Sequence, residues 1–170
     1  AHDRGDVEGS LTHYSAALVA YAEPMKSLQH ASVEVCIALA EARLGRKADS
    51  LATVGAALSR AEKGSLTVQL LVNQVAGRVL SVNRELPKAI ACYLTAESLA
   101  KQLQMPLRLF ELRLALNELA QDTGDQALAG LMERRLMADS LRLKLPPRLA
   151  RLYDDSIRRR VRGVRKPRQV

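Results

Sequence analysis

Aromatic residues are nearly missing from this chain: they make up 3%, with no Trp, one Phe and four Tyr. A β-sandwich or barrel fills its pleated faces with aromatic and β-branched side chains, so this scarcity argues against both. The apolar mass is Leu, Ala and Val instead. Ala and Leu are the strongest apolar helix formers, and small side chains let helices approach closely. Cysteine is scarce as well. Cys36 and Cys92 lie far apart, each inside an apolar helical pattern. They are expected as buried reduced thiols packing as small hydrophobes. A disulfide between them stays open, although nothing resembles a secreted cysteine framework.

No run of about 18 apolar residues exists, so no membrane span is expected. The chain opens on Ala1 with no signal-peptide pattern, and a cytoplasmic protein, or an excised piece of a longer one, is expected. Catalytic equipment is also thin. There is no Gly-rich phosphate loop, no nucleophile elbow and no paired-acid motif. His2, His13 and His30 are the only histidines. None is read as having a carboxylate or cysteine at metal-ligand spacing, so neither metal nor cofactor is expected. Glu111, Glu118, Asp122 and Asp125 cluster on and after one helix, and a solvated helix face accounts for them. The sequence points away from an enzyme.

The net charge of +8 is confined to one end. Residues 148–170 hold nine basic and two acidic residues: Arg148, Arg151, Arg158, Arg159, Arg160, Arg162, Arg165, Lys166 and Arg168 against Asp154 and Asp155. Before Arg148, basic and acidic groups nearly balance, 17 against 16. The body is close to neutral and its end is basic.

What is present is an internal period. Turn-like points recur at Gly5-Asp6, Gly45-Arg46, Asn83-Arg84 and Gly124-Asp125. Their spacing is nearly constant at about 40 residues, the scale of a helical-repeat unit. Five residues after each stands a small side chain: Ser10, Ser50, Ala89 and Ala129. Nine after stand Tyr14, Val54, Tyr93 and Glu133, and twelve after stand Ala17, Ala57, Ala96 and Leu136. Seven before the later turns stand Ala38, Gly77 and Asn117. The helical periodicity and the breakers predict helices near Val7–Ala22, Leu28–Leu44, Lys47–Lys63, Leu66–Val82, Leu86–Gln104, Leu107–Thr123, Gln126–Leu143 and Arg148–Arg162.

This pattern resembles the tetratricopeptide repeat, most clearly at Gly5-Asp6…Ser10…Tyr14…Ala17 and Gly77…Ala89-Ile90…Tyr93…Ala96. The resemblance covers about residues 1–140, with a period of about 40 residues where the family has about 34. It implies an all-α fold, a right-handed α-solenoid of antiparallel helix hairpins. The expected organisation is a TPR-like array over 1–144 (half a hairpin plus three), a basic capping helix over 145–162 and a flexible basic tail over 163–170. The array would begin at the second helix of a hairpin, as in a piece of a longer protein.

The resemblance also implies a concave partner-binding groove, lined by the first helix of each hairpin. Its positions fall on Val35, Leu39 and Arg43; on Leu71, Gln74, Val75 and Arg78; and on Glu111, Leu114, Glu118, Gln121 and Asp122. The basic clamp of the family's chaperone-binding members is absent. An apolar groove grading into acid suits an amphipathic helix or a partly basic segment. Val35, Leu39 and Val75 can equally be interhelical core. At the basic end, Leu149, Leu152, Tyr153, Ile157 and Val161 form one apolar stripe, and Arg158-Arg159-Arg160 crowd the helix C-terminus, where the dipole favours cations. Two readings stay open there: a cap that closes the array, or an arginine patch for phosphate, nucleic acid or an acidic protein. The stretch Leu145-Pro146-Pro147…Leu149…Tyr153…Arg158-Arg159 resembles the ends of helical-repeat sensor regions in large bacterial regulators of the maltose-regulator type. That resemblance implies a signalling or transcription-regulating parent. Self-association through an exposed apolar edge is a further expectation.

Overall fold

In the computed structural model the backbone is described for residues 2–20 and 27–164, and side chains for 6–17, 19 and 30–158. Among these residues the structure is all-helical, with no strand. Helices α1 (His2–Ala20), α2 (Ser27–Arg43), α3 (Lys47–Ala61), α4 (Leu66–Val82) and α5 (Leu86–Gln102) come first. They are followed by α6 (Pro106–Thr123), α7 (Gln126–Ser140) and α8 (Pro147–Val164). No described helix is long and apolar enough to cross a membrane.

The period seen in the sequence is realised as one backbone turn made three times. After α2, α4 and α6 the chain enters the left-handed region at Gly45 (φ 80°), Arg84 (φ 65°) and Gly124 (φ 74°). Each time the amide of that residue donates to the carbonyl three back, and the next amide donates to the carbonyl five back. Gly45 N–H reaches Ala42 O and Arg46 N–H reaches Glu41 O; Arg84 reaches Ser81 and Glu85 reaches Leu80; Gly124 reaches Gln121 and Asp125 reaches Ala120. These are three Schellman caps, which satisfy otherwise orphaned carbonyls at a helix end. Starts are also marked: the Ser65 side chain accepts from Val68 N at 3.4 Å and that of Asp125 from Leu128 N at 2.9 Å. Pro87 and Pro106 occupy first-turn positions, where a missing N–H costs nothing.

The expected first turn does not form. α1 is helical straight through Gly5 and Asp6 from His2, and Tyr14 is 37% exposed rather than buried. A Schellman turn needs a helix before it to cap, and at Gly5 the backbone is already inside one. At the other end α8 runs to Val164, past the Gly163 at which the tail was expected to begin. The remainder of that tail lies outside the described residues.

The chain divides into two compact units, Ala1–Gln104 and Met105–Val170. In the first, α2 packs on α1, α3 and α4, α4 packs on α5, and α3 also touches α4. The repeated positions are its core. Ala38, Gly77, Ser50, Ala89, Val54, Tyr93, Ala57 and Ala96 are all buried. Ser50 Oγ donates to the Ala38 carbonyl at 2.8 Å and accepts from Asn83 Nδ2 at 3.0 Å. One buried hydroxyl thus joins α2, α3 and the turn after α4. Gly77 is where the ring of Tyr93 lies: a Cβ there would sit 2.8 Å from two ring carbons, so only glycine lets α4 and α5 approach this closely.

In the second unit α6 packs on α7 and on α8. Phe110, Leu114, Leu136 and Leu149 form its core, with Leu143, Leu145 and Tyr153 against them. Phe110 meets Tyr153 edge to face, ring centroids 5.7 Å apart. Burying Phe110 completely contributes about 3 kcal/mol, which makes the one Phe of the chain the anchor of this unit. Asn117 Nδ2 donates to Ser156 Oγ at 2.9 Å, tying α6 to α8.

An ion pair recurs as well, with its polarity reversed. Glu34 on α2 is bound by Arg60 on α3 through both oxygens, at 3.0 and 3.2 Å. Arg113 on α6 is bound to Asp139 on α7. The two pairs join residues at the same sequence separation. Glu34 and Arg113 occupy corresponding repeat positions, as do Arg60 and Asp139, while Asn73 and Leu99 stand there in between.

Candidate partner-binding surface

The groove positions of the first unit lie on α2 and α4, which pack side by side. Their side chains differ in access. Val35 is fully buried between helices and has no surface to offer a partner. Leu39, Gln74 and Val75 are half-buried, Arg43 and Arg78 are exposed, and Leu71 is 40% exposed. Leu39, Leu71 and Val75 therefore each keep part of their surface open, with the exposed Arg43 and Arg78 about one helical turn beyond Leu39 and Val75.

The second unit contributes α6. Leu114 is buried in the core with Phe110 and Leu136, so it too is withdrawn from any surface. Glu111 is half-buried and paired with Arg108 at 2.9 Å. Glu118 and Gln121 are half-buried and Asp122 is exposed. The Glu111 carboxylate is thus already neutralised by its own helix.

On α8, Arg148, Arg151 and Arg158 are exposed, and so are Asp154 and Asp155 between them. The side chains of Arg159, Arg160, Arg162 and Arg165 fall outside the described residues. The apolar stripe faces inward at Leu149 and partly at Tyr153, but Leu152 and Ile157 keep more than a third of their surface open.

Two features escaped sequence reading. His30 does have a carboxylate one helical turn on: its Nδ1 lies 3.3 Å from Glu34 Oε1. That carboxylate is already held by Arg60, and the Glu34–Arg60 pair joins α2 to α3. Among the described residues no group of three His, Cys, Asp or Glu is placed to hold a metal. The second feature is a cavity of about 370 Å³ in the second unit, lined by Asn117, Glu133, Leu136, Met137, Tyr153, Ser156 and Ile157. Hydrophobic periodicity cannot show a gap between helices; only their packing does. The cysteines are free and half-buried, less deep than expected. Burial alone pushes both thiols above their ordinary value, which makes them poor nucleophiles. Glu85, beside the second cap, is shifted the other way: hydrogen bonds from Lys47 and Lys88 hold its carboxyl below the usual range.

Comparison with protein-family models, curated proteins and solved structures finds no match.

Proposed function

We propose that this chain is a non-catalytic protein-interaction scaffold or regulatory sensor module. In this reading α2–α3, α4–α5 and α6–α7 are antiparallel hairpins of a TPR-like solenoid, and a partner segment lies against their first helices. One observation carries it: the same Schellman turn is made after α2, α4 and α6, at a near-constant interval along the chain. Units built alike stack alike, because one hairpin cannot bury its own apolar face. The partner segment is an amphipathic helix whose apolar side meets Leu39, Leu71 and Val75. A signalling or transcription-regulating parent fits this role, with the array acting as sensor.

Replacing Leu39 and Val75 together by Ser tests the groove. Capture of the partner from a native extract should be lost while the helical circular dichroism stays unchanged. Capture that survives the double change refutes the groove.

A second reading is carried by the exposed Arg148, Arg151 and Arg158: binding of nucleic acid or another anionic surface through α8. Neutralising Arg158, Arg159 and Arg160 would then weaken binding to an oligonucleotide and flatten its salt dependence. An affinity indifferent to both salt and these changes excludes it.

A further inference from the structure

The three Schellman turns set one register for α2–α3, α4–α5 and α6–α7. Seven residues before each turn and nine after it stand Ala38 with Val54, Gly77 with Tyr93, and Asn117 with Glu133. The first two pairs are buried, and at the second the Tyr93 ring lies directly against Gly77. The third pair is polar on both sides. It is also where the packing opens, because Asn117 and Glu133 both line the cavity of about 370 Å³. Pockets that enclose small ligands measure about 300–1,000 Å³, and this one is within that range.

Exposure sorts the lining into a deep end and a mouth. Asn117 (2% exposed), Leu136 and Ser156 are buried, while Met137 (61%) and Ile157 (45%) are open. Leu136, Met137, Tyr153 and Ile157 give the walls a mainly apolar character. The buried amide at the deep end is only half satisfied. Asn117 Nδ2 is spent on Ser156 Oγ at 2.9 Å, whereas Asn117 Oδ1 is buried with no hydrogen-bond partner. Such an acceptor is rare in a folded protein and calls for an explanation; a small apolar residue at this position, as at Ala38, would avoid it. Glu133 is the one charged residue among those lining the cavity, and it has a further interaction within the protein.

We propose that this cavity binds a small amine with an apolar body. The body packs on Leu136, Met137, Tyr153 and Ile157, the N–H groups bring donors to Asn117 Oδ1, and the positive charge meets the Glu133 carboxylate. An anion would face that carboxylate with no cation in the lining to offset it. A neutral molecule without a donor would leave Asn117 Oδ1 unpaired. The site belongs to the second unit alone, so it goes beyond the partner groove and does not depend on it.

Methyl NMR titration of the full chain with 4-phenylbutylamine tests this, with 4-phenylbutanol and 4-phenylbutyrate as its neutral and anionic counterparts. The amine should bind with a Kd of about 0.1–1 mM, the range open to a ligand of about a dozen non-hydrogen atoms. It should shift the methyl signals of Met137 and Ile157 and leave those of Leu39 and Val75 in place. The alcohol should bind about tenfold more weakly, and the acid not measurably. Glu133→Gln is nearly isosteric at a half-buried position, so the fold is kept; it should bring the amine down to the alcohol's affinity and leave the alcohol unchanged. Asn117→Gly with Glu133→Tyr sets the Gly77–Tyr93 pair into the third repeat, and with helicity retained it should abolish binding of both. Four results overturn the inference: no shift at Met137 or Ile157 up to about 10 mM amine, an acid that binds as tightly, an amine affinity indifferent to Glu133→Gln, or binding that survives the folded double variant.

Discussion

Arg84 is the one non-glycine among the three Schellman caps, and replacing it by glycine should stabilise the first unit. At φ 65° an L-residue crowds its Cβ against the following carbonyl, at a cost of about 1–2 kcal/mol. Arg84 is exposed and its side chain makes no described hydrogen bond or ion pair, so nothing offsets that strain. Glycine removes the strain but is freer in the unfolded chain, which returns about 0.5–1 kcal/mol. The net gain for Arg84→Gly is about 0.5–1 kcal/mol, or a rise of roughly 2–5 °C in Tm for a unit of this size. The opposite changes calibrate it. A Cβ at Gly45 or Gly124 meets nothing within 4 Å, so Gly45→Ala and Gly124→Ala carry only the backbone cost, about 1 kcal/mol each. Urea titrations followed by circular dichroism would measure all three. Arg84→Gly and Gly45→Ala should move the transition of the first unit in opposite directions, and Gly124→Ala that of the second. A neutral or destabilising Arg84→Gly, alongside costly glycine replacements, would refute the equivalence of the three turns.

Other outcomes follow from the packing. Ser50→Ala removes the bond to Ala38 and leaves the buried Asn83 amide unpaired, so it should cost about 1–3 kcal/mol in urea unfolding; Asn83→Ala alone should cost less. Gly77→Ala drives a methyl into the Tyr93 ring and should cost about 1–3 kcal/mol, partly recovered when Tyr93 is shortened to Leu. Glu34→Arg should destabilise the first unit by about 1–2 kcal/mol, the exposed side of Arg60 limiting the penalty. The double reversal Glu34→Arg with Arg60→Glu should recover most of it, since Arg113 and Asp139 already use that polarity; thermal melts decide, and no recovery contradicts the assignment.

Much of this architecture is legible in the sequence because turns obey local chemistry. Gly45 and Gly124 announce left-handed caps by composition, and the regular spacing identifies Arg84 as the third even though its residue type does not. The small residues at Ala38, Gly77, Ser50 and Ala89 mark close approach, and they are buried as that role demands. Failures arise where the outcome depends on neighbours. α1 carries the right letters, yet it is helical through Gly5 and leaves Tyr14 exposed. Val35 and Leu114 sit at groove positions by register, yet helix packing turns them inward. Leu39 and Leu71 look no different in sequence and stay partly open. Glu34 and Arg60 lie on different helices, so no local pattern joins them until the register of the two is known.

The reversed polarity of the two ion pairs bears on how the chain avoids misassembly. Repetitive sequences fold under a particular hazard: a helix can take the counterpart belonging to another repeat. Here that error is penalised. α2 paired with α7 would bring Glu34 against Asp139, and α6 paired with α3 would bring Arg113 against Arg60. Each mistaken union sets like charges together where the native one joins opposites, while Asn73 and Leu99 offer the middle repeat to neither. The two salt bridges act as a key that lets helices at corresponding repeat positions tell their own mates from their neighbours'.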